Sequence, residues 1–64
     1  MDLMDKYYDR DKIELTQSED IVFEILNDIK GRSGLEDAFD GCDDGIKEEI
    51  LQEWIDIVDK KIDK

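Results

Sequence analysis

Residues 16–31 read Thr16-Gln17-Ser18-Glu19-Asp20-Ile21-Val22-Phe23-Glu24-Ile25-Leu26-Asn27-Asp28-Ile29-Lys30-Gly31, and they set the class of the whole chain. Thr16-Gln17-Ser18-Glu19 has the spacing of a capping box, in which a threonine hydroxyl accepts from the first turn and a glutamate reaches back to the cap amide. Ile21, Val22, Ile25, Leu26 and Ile29 follow at the i, i+1, i+4, i+5, i+8 spacing of one helix face. Gly31 stands where a left-handed C-cap is expected, and Lys30 suits the negative end of the helix dipole. The spacing predicts a helix over 17–30. Phe23 does not fit the pattern. It lies about 200° around the helix from Ile21, among Asp20, Asn27 and Glu24, so it is either covered by another segment or an exposed anchor.

Outward from this helix the same signals recur. Ser33-Gly34-Leu35-Glu36 repeats the capping-box spacing and predicts a short helix through Leu35, Ala38 and Phe39, closed by Gly41. Asp43 or Asp44 is expected to cap a long helix over roughly 44–62. At about 100° per residue from Ile46, its apolar side chains Ile46, Ile57, Ile50, Trp54, Val58, Leu51, Ile62 and Ile55 fill an arc of about 180°. A helix lying on one neighbour needs a stripe of only about 100°. The surplus arc, especially Ile55, Val58 and Ile62, is expected to touch a second element or a second copy of the chain.

Toward the N-terminus, Leu3, Met4, Tyr7 and Tyr8 share a helical face, and Ile13 and Leu15 alternate as in a short extended connection. Residues Asp9 to Lys12 are all charged and form the expected flexible point. The chain has no proline, so nothing breaks a helical pattern from within. The expected architecture is therefore all-α: a small helical bundle of two principal helices, a short connecting helix, and an N-terminal helical turn or arm. The expected organisation is one small acidic domain over 1–64, with an arm at 1–15 and a helical core at 16–64.

Composition narrows the function. Twenty acidic residues against nine basic ones among 64, with no histidine, give a formal charge of −11. Between Glu36 and Glu49 seven acids face the single base Lys47. That charge exceeds the magnitude of about 2–8 usual for a small domain, and its self-repulsion disfavours the compact state, which points to a use for the field, most simply to steer and hold a basic partner. Direct binding of nucleic acid is disfavoured, since such modules carry a basic patch. The only basic cluster, Lys60, Lys61 and Lys64, is interleaved with Asp59 and Asp63. At 39% hydrophobic residues the chain is not an acidic disordered tail. No secretory or membrane-spanning segment is evident and one thiol stands alone, so the expected compartment is the cytoplasm.

Chemistry is poorly provided for. There is no histidine base, no phosphate-binding glycine loop and no plausible triad. Cys42 sits among acids, which suppress the thiolate. Asp40-Gly41-Cys42-Asp43-Asp44-Gly45-Ile46 superficially follows a calcium loop, but Cys42 and Leu51 occupy the third and twelfth positions, where oxygen ligands belong. The segment reads as a turn whose acids favour the start of the next helix. No enzyme, metal or cofactor is expected.

The remaining expectation is a non-enzymatic inhibitor or adaptor that docks an acidic face on a basic, nucleic-acid-binding protein by imitating nucleic acid. Asp40, Asp43, Asp44, Glu48, Glu49, Glu53 and Asp56 would supply the charge, and Phe23 or Tyr8 an apolar anchor. The rival expectation is a structural homodimer, with a merely solubilising acidic surface, joined through Ile55, Val58 and Ile62. In outline the chain resembles the tiny, acidic, proline-free helical proteins with which phages blunt host defences. Leu15-Thr16-Gln17-Ser18-Glu19 and Gly45-Ile46-Lys47-Glu48-Glu49-Ile50 leading to Trp54 are similar to stretches of the bacteriocin immunity proteins, acidic helical inhibitors of nucleases. That resemblance covers under a quarter of the chain and consists of capping and amphipathic patterning. The family's Tyr-Tyr pair lies between these segments, whereas Tyr7-Tyr8 precede both, and membership is not assigned.

Overall fold

The capping box forms as its spacing requires. In a computed structural model describing residues 2–62, Thr16 Oγ1 accepts from the Glu19 amide at 3.1 Å, and Glu19 Oε1 accepts from the Thr16 amide at 3.0 Å. Counting in chain order, the helices are α1 (Leu3–Tyr8), α2 (Gln17–Lys30), α3 (Ser33–Asp40) and α4 (Asp44–Ile62). No strand occurs among the described residues. The architecture is the expected small all-α bundle.

Two local expectations need correction. Gly31 ends α2 at φ −89°, ψ 0°, outside the left-handed region. The chain instead tightens, with the Gly31 amide donating to Asp28 and the Arg32 amide to Ile29, both at 3.0 Å. Ser33 is not a cap. Arg32, in extended backbone geometry, occupies the N-cap position of α3 without a side-chain cap bond, because the first intrahelical bond runs from the Glu36 amide to the Arg32 carbonyl at 2.8 Å and so starts the helix at Ser33.

Antiparallel packing of α2 on α4 forms the centre: Ser18, buried at the start of α2, donates its hydroxyl to Asp59 near the end of α4. The core comprises Tyr7, Val22, Phe23, Leu26, Phe39, Leu51 and Ile55. Short α3 lies against α2, closed by Phe39 and by the Lys30–Asp40 ion pair at 2.9 Å. Among the described residues no helix is long and apolar enough to cross a membrane.

Helix α1 resolves the Phe23 anomaly. Phe23 is only 1% exposed, with its ring edge-on to Tyr7 at 5.8 Å between centroids. A six-residue helix is marginal alone, and three devices hold this one down. Tyr7 is buried, and its hydroxyl donates to Asn27 at 3.3 Å. Lys6 pairs with Glu19 at 2.8 Å. Glu48 on α4 accepts the amides of Leu3 and Met4, one on each carboxylate oxygen, both at 2.9 Å. The first fifteen residues, expected as an arm, thus supply a core side chain.

Covering Phe23 rotates the buried stripe of α2. Measured from Ile21, the buried Ser18, Val22, Leu26, Glu19 and Phe23 span about 60° to 200°. Ile21 and Ile25, the leading members of the expected stripe, fall outside that arc, and Ile25 is 50% exposed. The same rotation applies to α4, where Leu51 and Ile55 at about 140° and 180° are buried. Ile46 and Ile57 at about 0° and 20° are left in solvent.

Glu19 couples the cap to the tertiary contact. Burial pushes its carboxyl pKa up, but the Lys6 hydrogen bond, the Thr16 amide and the Lys6 charge outweigh this and hold it below the ordinary 4.5. A depressed folded-state pKa stabilises the protein above the unfolded value, and that stabilisation is lost as pH falls through the folded one. Melting temperatures measured between pH 6 and pH 3 are therefore expected to fall more steeply for the natural chain than for Glu19→Gln. Parallel profiles would remove Glu19 from the acid response.

Candidate partner-binding surface

The acids of α4 divide by helical position. Glu49, Glu53 and Asp56 follow i, i+4, i+7 and form one exposed ridge, rising about 10 Å along the axis. Asp43 and Asp44, at the N-terminal end of α4, are also exposed, but they lie off the ridge, Asp44 at about 160° around the helix. Among the described residues none of these five carboxylates is in an ion pair. Asp56 accepts only from Gln52, at 3.0 Å along the same helix.

The other two residues of the expected acidic face are engaged. Glu48 is half-buried, and both its oxygens are taken by the amides of α1, so it is a structural cap and leaves the surface set. The reason is its place about 200° around α4, on the flank that α1 covers. Asp40 is exposed but paired with Lys30, and this bond raises the Lys30 pKa above its ordinary 10.5 although burial opposes it.

Of the two apolar anchors, Phe23 is excluded by its burial beneath Tyr7. Tyr8 remains outside, 63% exposed, with its ring edge-on to Tyr7. It stands at one end of a mixed patch in which Lys30 Nζ lies 6.0 Å from the Tyr8 ring and 5.9 Å from the Phe39 ring. Lys47 Nζ lies 5.9 Å from the Phe39 ring.

The proposed oligomer surface is also displaced. Ile55 is buried in the core, Val58 is half-buried against it, and Ile62, still exposed, stands at the last described turn. The surplus apolar arc lies on the opposite edge of α4. There Val22 and Ile25 of α2 and Trp54, Ile57 and Val58 of α4 line an open groove of about 280 Å³. Ile25 and Ile57 form its lips, at 50% and 55% exposure. The sequence did carry a signal for it: a buried Phe23 forces Ile21 and Ile25 off the covered side.

Among the described residues no three Asp, Glu or Cys side chains converge as metal ligands would. Cys42, in the turn between α3 and α4, makes a local contact with the Ala38 carbonyl, Sγ to oxygen 3.4 Å. No protein-family model, curated protein or solved structure matches this chain.

Proposed function

We propose that this protein is a non-enzymatic acidic binding module, an inhibitor or adaptor that docks on a basic, nucleic-acid-binding protein. One observation carries the reading: the ridge Glu49, Glu53, Asp56, with Asp43 and Asp44 at the N-terminal end of the same helix, is exposed on a helical scaffold, with no ion pair to any of these acids among the described residues. Acids that only solubilised the surface would be interspersed with bases. An unpaired ridge of this kind gives a directional field that steers a cationic partner. Carboxylates one helical turn apart present a linear series of negative charges, as a nucleic-acid backbone does, and Asp40 and Tyr8 would add secondary contacts away from the ridge.

The test is capture of nuclease-treated lysate proteins on the immobilised natural chain and on Asp43→Lys/Glu49→Lys/Glu53→Lys. The natural chain is expected to retain basic proteins that elute with salt or with added DNA. The triple variant should lose most of them, because charge complementarity acts through encounter and is screened over about 8 Å at physiological ionic strength. Equal capture by both chains would overturn the proposal.

A second reading, self-association, is favoured by the groove between α2 and α4. Its residues would be Ile25, Trp54 and Ile57, with Val58 at the floor, in place of the Ile55–Val58–Ile62 set.

A further inference from the structure

We infer that the groove between α2 and α4 is a receptor for an amphipathic helix that carries basic residues beside its apolar stripe. This deepens the proposed function, on which it rests, by assigning a form to the contacting segment of the basic partner. The groove is bounded by two helices and lined by Val22, Ile25, Trp54, Ile57 and Val58, without a polar side chain among them. Such a trough accepts apolar side chains spaced i, i+3, i+4, i+7 on a third helix. Trp54 is half-buried in the wall, and a tryptophan in an apolar pocket is the side chain most often found to dominate a binding interface.

Charge chooses the occupant. On α4, Glu49 and Glu53 stand beside the apolar strip at about 300° and 340°, next to Ile46 and Ile57. On α2, Asp28 and Glu24 take the equivalent places beside Ile21 and Ile25, and among the described residues Asp28 alone of the four is paired, with Arg32 at 2.9 Å. Because the helices are antiparallel, these four acids gather toward the end formed by the C-terminal half of α2 and the N-terminal half of α4. Lys60 and Lys61 occupy the opposite end. A second copy would bring another body of charge −11 onto this one. A cationic helix neutralises the rim instead, and it is oriented by having its bases over Glu49, Glu53 and Asp28.

Trp54 is the chain's only tryptophan, so its emission reports occupancy directly. The probe is a synthetic 18-residue peptide free of Trp and Tyr, with leucines at i, i+3, i+4, i+7 and lysines flanking them. It is titrated into the full chain beside a same-composition peptide with the leucines scrambled around the helix, and beside one with glutamates for lysines. The lysine peptide is expected to shift Trp54 emission to the blue with a micromolar dissociation constant, and the scrambled and acidic peptides to bind at least tenfold more weakly. Ile25→Ser/Ile57→Ser, at half-exposed positions, should lose at least tenfold in affinity while circular dichroism at the titration temperature shows the helical fold retained. Equal binding of amphipathic and scrambled peptides would overturn the groove while leaving a charge-only acidic module standing. Failure of any cationic peptide to bind would remove both. Sedimentation showing a dimer at micromolar concentration, with Trp54 already shielded, would assign the groove to a second copy and overturn the inference.

Discussion

Phe23→Ala is expected to leave the chain largely unfolded at room temperature. The side chain is 1% exposed and packs edge-on against Tyr7 of α1 within the core that also holds Leu26. Truncating a buried phenylalanine costs about 3–5 kcal/mol through lost transfer energy and the cavity left behind. A domain of this size holds only about 3–10 kcal/mol in total, and a small core often supplies less than 5. Any folded remainder should melt at least 12 °C lower, since about 1 kcal/mol shifts a small domain by 4–8 °C. Helical circular dichroism at 25 °C and a thermal melt read both effects. The competing use of Phe23, an exposed anchor, predicts the reverse pattern: an unchanged melt and weakened partner binding.

The second large effect separates two adjacent glutamates. Glu48→Ala removes the acceptor for two amides of α1 and is expected to cost about 1.5–3 kcal/mol, the range for hydrogen bonds to a charged group. Glu49→Ala removes an exposed, unpaired member of the ridge and should change stability by less than about 0.5 kcal/mol. Any residual effect of Glu49→Ala should be favourable, because it relieves repulsion. Glu48→Gln, with one acceptor oxygen retained, should fall between. Chemical denaturation of the three variants decides it, and equal midpoints for Glu48→Ala and Glu49→Ala would show that the α1 cap contributes nothing. For binding the order inverts: Glu49→Ala weakens capture of a basic partner, and Glu48→Ala weakens it only as far as the fold loosens.

What was legible in the chain was mainly local. Thr16 and Glu19 are three residues apart, and their mutual bonds need no tertiary information, so α2 was predicted over its observed span. The 19-residue α4 was legible for a similar reason, its apolar periodicity running unbroken from Ile46 to Ile62. The orientation of the buried faces was not. Phe23 looked misplaced because the stripe was centred on Ile21, Val22 and Ile25, whereas the docking of α1 moves the centre toward Leu26. That docking depends on Glu48 meeting residues 44 and 45 positions away in sequence, which no periodicity encodes. From the same gap came the misassignment of Glu48 to the acidic face and of Ile55 to an interface. The exposed acids Glu49, Glu53 and Asp56 were legible because their own spacing puts them on one ridge whatever the helix rests against.

Glu19 divides its two carboxylate oxygens between the Thr16 amide and the Lys6 ammonium, and this sets how the molecule opens. Fraying of the first turn of α2 releases the Lys6 contact, and lifting α1 removes a counter-ion that holds the cap carboxylate charged. The two movements therefore belong to one cooperative unit. Any ligand that gripped α1 would feel the start of α2 as part of the same lever.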